Sequence, residues 1–540
     1  MSANSKIKFT PLGGVAEIGS NMMLVESEKS CILIDSGILF PYESLFDIDY
    51  LIPDMSVLDK KKVTDIIYTH GHEDHIGAVP HIIEKFPKIK IHCSSLTRKF
   101  LLKRLWSDQS MPEISLFDDQ SEIEFDDFVV HPIHVNHSIP QTFGLHFKIS
   151  KKSIFYASDF KVVKDCVYEK DFDFKRLEEL SKDCKQRTLF ADSTNILKRQ
   201  DSLSETDLVE PIKKIIKTAK HWSYITFFSS NIYRLKSILT ISKELGKQVV
   251  LYGRSVQDNF DIARDEGIIG EDLAKVITPF AEVKKDHKNL VICLSGCQGD
   301  FRGALNRVSS GAHPVFKIRK DDQLIYSAKS IPGNESTVTR LFNRIVDSKG
   351  IVYTDFEGEI HASGHASRED LINLISRYGP NHYIPIHGSS YFLEKNIELS
   401  KSEFPKVKTH SMRNHHELCF DSDKGWKIKE KEILPPKLIY SKNTTIDRKT
   451  ISQRRKIAQA GLVLINISIS RGANLEIDPI GLPEEANELC ELLSSEISEI
   501  FLVKTKRLSQ NDLKEEIRIF ARKFLSTHLG KKPIVRVSLF

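Results

Sequence analysis

The sequence predicts an α/β protein in which a sandwich of β-sheets is interrupted by an inserted α/β domain and followed by a small α/β domain. Three observations carry that prediction. Short β-rich runs alternate with turns from residue 7 to about 210, helices alternate with strands from about 211 to 355, and strands ending in histidine return after that. At 540 residues the chain exceeds what one hydrophobic core supports, so about three packed units are expected.

The first unit, 1–210, is built from IKFTPLGG, MMLVES, CILIDSG, VTDIIYTH, IKIHCSS, FVVHPIHV, FGLHFKIS, KSIFYASD and TLFADSTN. Several of these strands end on polar, ligand-type residues, which places side chains on loops at one edge of a rigid scaffold. The insert, 211–355, is read from EPIKKIIKTAK, YITFFSS, IYRLKSILTISKELG, QVVLYGRS and NLVICLSG. GIVYTDFEGEIHASGHAS and HYIPIHGSS then return the chain to the first domain, over 356–435. The Pro pair near 435 marks a linker, and 441–540 forms the C-terminal domain, with AGLVLINISIS as a buried strand and PIVRVSLF as the last one.

Bulk properties narrow the function. Hydrophobic residues at 40% and charged residues at 28% describe a globular protein rather than a disordered or fibrous one. The first residues carry no apolar stretch of the secretory type, and no window of about 18 apolar residues occurs, so a cytoplasmic protein without a membrane span is expected. Eight scattered cysteines fit reduced thiols; Cys293 and Cys297, in CLSGC, are read as packing residues. A net charge of +5 permits a polyanionic partner without requiring one.

The strongest chemical signal is YTHGHEDHIGAVP, in which a strand runs into a turn carrying His70, His72, Asp74 and His75 in the pattern HxHxDH. His70 and His72 suit one ion, and Asp74 and His75 a second one nearby, a binuclear zinc arrangement. Three further ligands come from later strand ends: His137 to complete the first ion, Asp159 to bridge both, and His387 to complete the second. Two such cations activate water at neutral pH and polarise a phosphoryl oxygen. A protein acid must then protonate the leaving oxygen, a role for Asp192 of FADSTN and His365 of HASGHAS.

With LGGVAEIGSNM, LIDSGILFP, THGHEDHIG, HSIP, SDFK, DSTN, FFSSNIYR, IPGNE, HASGHAS and IPIHG in that order, the chain resembles the bacterial ribonuclease J family over nearly its whole length. The resemblance extends to DRKTISQRRKIAQAGLVLI in the C-terminal domain. It implies a metallo-β-lactamase αββα sandwich with an inserted β-CASP domain, and a ribonuclease that removes nucleotides from a 5′-monophosphate end and also cuts internally, in RNA maturation and decay. It makes Asp35 a structural aspartate and His70, His72, Asp74, His75, His137, Asp159 and His387 the ligands of two zinc ions, with manganese or magnesium as alternatives. It makes Asp192 and His365 the motif acids, and His361, Ala362, Ser363, Gly364 and His365 the loop that receives a substrate phosphate. In the insert, Ser229, Ser230, Asn231 and Arg234 lie where a strand becomes a helix, an expected seat for RNA phosphate, and Arg254 follows a comparable strand.

The chain departs from the family pattern at Gln141 and Ser389, where the family has Asp and Glu, and at Asp300, where it has Glu. Two other readings compete: a metallo-β-lactamase-fold hydrolase of small thioesters or lactones, and a catalytically weak RNA-binding subunit working beside an active paralogue. The complete ligand set weighs against the second and the large insert against the first. Family resemblance also implies a homo-oligomer, dimer or tetramer, with RNA-decay proteins as partners.

Overall fold

A computed structural model describes residues 6–41, 48–284, 287, 289–331, 333–357, 359–421, 425–442, 444–468 and 474–540. The extreme start of the chain, Pro332 of IPGNE and the last residues of AGLVLINISIS lie outside them. The chain divides into two compact units, 1–40 with 50–437, and 41–49 with 438–540.

Two mixed sheets dominate the first unit. One runs Gly425–Lys429, Glu417–Asp421, Ile7–Gly13, Met22–Glu26, Cys31–Ile34, Asp65–Ile67, Lys90–Cys93 and Ile114–Leu116; the other runs Lys408–Thr409, His382–Ile386, Gln186–Asp192, Lys152–Tyr156, Phe143–Ile149, Val129–His134 and Ile123–Glu124. Their facing sides share one core that includes Phe9, Val25, Ile34, Phe147, Phe190, Ile384 and Trp426. Helices Phe174–Ser181, Arg368–Tyr378 and Ser390–Glu403 lie beside the second sheet, where Leu177, Leu371, Leu374 and Leu399 join Leu189 and Ala191 in a second core. Because side chains alternate across a strand, Gln186–Asp192 supplies Phe190 to one core and Leu189 and Ala191 to the other, which is why it reads as an apolar run. This is the αββα sandwich.

Register fixes where the polar strand ends meet. Gln186–Asp192 pairs in parallel with Lys152–Tyr156 and with His382–Ile386, with Tyr156 opposite Phe190 and Asp192 opposite Ile386. In the other sheet Ile34 is opposite Ile67, again in parallel. Asp35, His70, Asp159, Asp192 and His387 therefore all leave the carboxyl ends of parallel strands, the edge at which open α/β sheets hold ligands.

The insert is a five-stranded parallel sheet in the order Gln248–Tyr252, Leu290–Leu294, Ser223–Thr226, Gln323–Tyr326 and Ile351–Tyr353. Its core gathers Trp222, Tyr224, Val250, Ile292, Leu324, Phe316 and Leu341.

In the second unit Leu462–Ser468 pairs antiparallel with Asn474–Ile480 and parallel with Ile534–Leu539. Val463, Ile465 and Ile467 alternate into a core with Cys490, Leu493, Ile497 and Phe501 of helix Glu485–Lys504, and with Leu513, Ile517, Ala521 and Leu525 of helix Gln510–Leu529. The spacing of three and four along the first helix and of four along the second makes each one-sided. Among the described residues no helix is long and apolar enough to cross a membrane.

Candidate metal centre

The turn after Asp65–Ile67 is held by Asp35, which is fully buried and accepts hydrogen bonds from Thr69 N (2.8 Å), Thr69 Oγ1 (2.9 Å) and His75 Nδ1 (2.8 Å). With Nδ1 donating to a carboxylate, His75 turns Nε2 inward, the orientation a metal-ligating imidazole needs. His137 is fixed in the same way, its Nδ1 donating to the carbonyl of Gly364 at 2.6 Å. Glycine is required there: a β-carbon on residue 364 would stand 2.7 Å from His137 Cε1 and Nδ1.

Seven of the side chains singled out from sequence meet in two adjacent groups. His70, His72, His137 and Asp159 form one, and Asp74, His75, Asp159 and His387 the other, with the ligand atoms of each within 4.8 Å of one another. Asp159 belongs to both. His72 Nδ1 lies 3.1 Å from His70 Nε2 and 3.0 Å from His137 Nε2, so three ring nitrogens converge although neutral imidazoles repel lone pair to lone pair. Burial holds His70 and His137 well below the usual histidine range and lowers His72 to about 4, so all three stay neutral and ready to ligate.

The second group is rich in negative charge. Burial opposes ionisation of Asp159, yet His387 and His75 hold its carboxyl well below the usual range. His75 in turn is raised to about 10: burial works against the charge, and Asp159, Asp74 and Asp35 outweigh it. Asp159 Oδ1 lies 3.0 Å from His387 Nδ1, and His387 Nε2 lies 3.4 Å from Asp74 Oδ2, all of them buried or half-buried. Converging imidazoles and buried carboxylates fit divalent cations bound by nitrogen and oxygen, and zinc in particular.

A third group joins Asp159 to Asp192, His365 and His387. His365 Nδ1 lies 2.7 Å from Asp192 Oδ2. Burial opposes the charge on His365, but Asp192 and then Asp159 raise its pKa, while Asp192 is pushed down to about 2 chiefly by His365, against its own burial. His365 thus stands beside the two candidate ligand groups with its ring oriented by a carboxylate.

Backbone strain accompanies this geometry. Asp35 (φ 58°), Gln141 (φ 55°), Ser158 (φ 55°) and His387 (φ 49°) all adopt the left-handed conformation without being glycine, each at a cost of about 1–2 kcal/mol. Three of them, Asp35, Ser158 and His387, come one or two residues after a strand and bend the chain so that ligands turn inward.

The seat expected in the insert looks different in the structure. Asn231 caps helix Ile232–Glu244 by accepting from Arg234 N, and its Nδ2 donates to Glu205 Oε1 at 3.1 Å. Arg234 is 0% exposed and donates to Glu205, so its guanidinium is turned inside instead of towards RNA. A partner carboxylate 29 residues upstream, invisible to motif reading, is what draws it in. Ser229 and Ser230 are half-buried and Arg254 is exposed at a helix start.

Two of the departures, Gln141 and Ser389, have structural roles. Gln141 Oε1 accepts from Leu96 N at 2.9 Å at the start of helix Ser95–Arg104, and Ser389 caps helix Ser390–Glu403. Asp300 lies in the loop after Leu290–Leu294, its carboxyl raised by burial. Cys293 and Cys297 are buried and belong to none of the ligand groups among the described residues. Sequence reading passed over Asn21, whose Nδ2 lies 3.0 Å from His75 Nε2 and donates to Asp74 O at 3.1 Å, and Thr69, which links Asp35 to His70. Neither carries a metal-ligand signature; only their position beside the HxHxDH turn and the LIDSG segment could have marked them.

Comparison with known proteins agrees along the chain. Residues 15–147 match the metallo-β-lactamase superfamily, 221–345 the ribonuclease J β-CASP domain, 358–410 the Zn-dependent metallo-hydrolase RNA specificity domain, and 449–539 the ribonuclease J C-terminal domain. Ribonuclease J of Helicobacter pylori is 29% identical over 556 residues, spanning 99% of this chain and 80% of that protein. Ribonuclease J of Sinorhizobium meliloti is 29% identical over 561 residues, spanning 99% and 98%. A crystal structure of a protein of unknown function from Enterococcus faecalis matches with a TM-score of 0.53 at 14% identity, over 77% of this chain and 100% of that one, a likeness of fold alone. The chain belongs to the ribonuclease J family and is a metal-dependent ribonuclease on the metallo-β-lactamase fold.

Proposed function

We propose that the chain hydrolyses RNA with two zinc ions, one held by His70, His72, His137 and Asp159 and the other by Asp74, His75, Asp159 and His387. The observation that carries this reading is the single carboxylate, Asp159, shared by two groups of ligands. Bound there, the ions would supply an activated water and Lewis-acid polarisation of the phosphoryl oxygen. The protein contributes the rest. Asp35 and Gly364 lock the tautomers of His75 and His137. His365, kept protonated by Asp192, donates its proton to the leaving 3′ oxygen. The small residues Ala362, Ser363 and Gly364 leave room for a substrate phosphate beside it.

In the same reading the enzyme degrades RNA from a 5′-monophosphate end and also cuts internally, works in RNA maturation and decay, and acts as a homo-oligomer. End-labelled RNA bearing 5′-monophosphate, 5′-triphosphate or 5′-hydroxyl tests it, with His72→Ala alongside. Mononucleotides should appear fastest from the monophosphate and not at all with the variant, and metal analysis should find about two zinc ions per chain. Undiminished cleavage by His72→Ala would sink the ligand assignment.

A further inference from the structure

The insert is joined to the sandwich by two chain segments, one before it and one after it, and a single guanidinium touches both. Arg234, 0% exposed, donates from Nε to Glu205 Oε2 (2.6 Å) and from Nη2 to Glu205 Oε1 (3.0 Å), in the segment entering the insert. Its Nη1 donates to the carbonyl of Ser327 (3.1 Å), directly after the strand Gln323–Tyr326, and to the carbonyl of Ile360 (3.3 Å), in the segment leaving it. Ser327 Oγ also donates to Ile360 O.

Ile360 immediately precedes the loop 361–365. The far end of that loop is fixed to the metal centre, Gly364 O by His137 Nδ1 at 2.6 Å and His365 Nδ1 against Asp192 Oδ2 at 2.7 Å. Five residues are therefore pinned at both ends, on one side by ligand and acid residues and on the other by Arg234. A buried ion pair contributes little net stability, because desolvation offsets the attraction; what the planar, five-donor guanidinium supplies is fixed direction.

We infer that Arg234, oriented by Glu205, is a positioning residue that sets the loop 361–365 and so the placement of His365 for the reaction. It rests on the reading of His365 above, and it replaces the expectation that Arg234 touches RNA. Arg234 acts through Ile360 and never meets the substrate.

The experiment is a double-mutant cycle on the full chain. Arg234→Met with Glu205→Gln removes both charges of the ion pair and leaves the buried Lys161 with Glu169, so folding and zinc content should match the wild type. Turnover of end-labelled RNA should fall about 10–100-fold with KM little changed, the size expected when a reacting group is misplaced by about 1 Å. In a His365→Ala background the same pair should lower turnover by less than about twofold further, since both changes remove one function. Losses that multiply in that background, undiminished turnover, or a raised KM at constant kcat would overturn the inference. Arg234→Lys, which keeps the charge against Glu205 but not the fork to Ile360, gives the same reading should the pair fail to fold. His365→Ala assayed on RNA and on bis(p-nitrophenyl) phosphate, whose leaving group needs no proton, tests the acid role separately: loss on both substrates alike would remove that role while the cycle still decides whether Arg234 acts through His365.

Discussion

The sandwich and the insert both present the carboxyl ends of parallel strands, yet they turn their chains there by opposite means. In the sandwich the turns after Cys31–Ile34, Lys152–Tyr156 and His382–Ile386 use Asp35, Ser158 and His387 in the left-handed conformation. In the insert the turns after Gln248–Tyr252 and Leu290–Leu294 use Gly253 (φ 123°) and Gly296 (φ 90°), and the left-handed non-glycine residues Asn289, Asp321 and Lys349 lie at the opposite edge, before their strands. Glycine relieves the strain but carries no side chain. At the carboxyl ends compared, the strain is kept where a candidate ligand or the group orienting one stands at the bend or beside it, and glycine removes it where only the chain path matters. At the carboxyl ends of these parallel strands the strained residues accompany the candidate ligands, in keeping with the tendency of strain to gather at functional sites, whereas those at the opposite edge only turn the chain.

The sharpest way to break that contrast is at the shared carboxylate. Asp159→Asn keeps the shape but removes the charge common to both ligand groups; bound zinc should drop and RNA cleavage fall below detection, read by metal analysis and turnover together. Retained zinc with retained cleavage would detach the strained bend at Ser158 from function. The next test exchanges glycine for a side chain in the insert. A β-carbon at Gly253 would meet Ser295 Oγ at 2.0 Å and sits at φ 123°, so Gly253→Ala should destabilise the region by about 3 kcal/mol, seen as faster hydrogen exchange in helix Arg254–Asp265. The converse change, Ser158→Gly, loses the hydrogen bond from Ser158 Oγ to Thr69 Oγ1 (3.0 Å) but relieves the bend, and should leave stability within about 1 kcal/mol. Equal effects of the two changes would erase the distinction.

Gly364 is the exception that refines the rule, since it lies at the candidate metal centre and is required for close approach rather than for its φ. Gly364→Ala should push His137 from its carbonyl partner and weaken zinc binding about 10–100-fold, the usual effect of disturbing the group that orients a ligand. A zinc titration followed by competition with a chelator measures it, and unchanged affinity would show that His137 is held by other means.

How much of this could be read from sequence follows from the same distinction. The candidate ligands stand out in the sequence because metal binding demands particular residue types, and HxHxDH packs four of them into six positions; the structure brings them into adjacent groups. The sheet sandwich was legible because alternating strands and their polar ends repeat along the chain, while its αββα layering followed from the family resemblance. Arg234 was misread because a strand-to-helix junction with Asn and Arg looks the same whether the guanidinium faces water or a buried carboxylate; its partner Glu205 and the carbonyl of Ile360 are brought to it only by the tertiary fold. Asn21 and Thr69 escaped for a related reason, since amides and hydroxyls that orient ligands have no spacing rule of their own.

Gln141 shows what a departure from a family pattern means once neighbours are known. Its Oε1 accepts from Leu96 N at 2.9 Å and from Ser95 Oγ at 3.2 Å, while that same hydroxyl lies 2.7 Å from Glu266 Oε2 of the insert. A carboxylate at 141 would face Glu266 across one hydroxyl group, and like charges so close repel; the neutral amide accepts the same bonds without that penalty. Gln141→Ala should cost about 1 kcal/mol, the value of a lost helix N-terminal acceptor. Gln141→Glu should lose stability at low salt, because repulsion from Glu266 exceeds the attraction of the helix N-terminus, and should recover it as salt screens the repulsion. Thermal melts at two ionic strengths separate the cases: a salt-independent gain for Gln141→Glu would show that Glu266 does not sense residue 141, and that the amide there has some other cause.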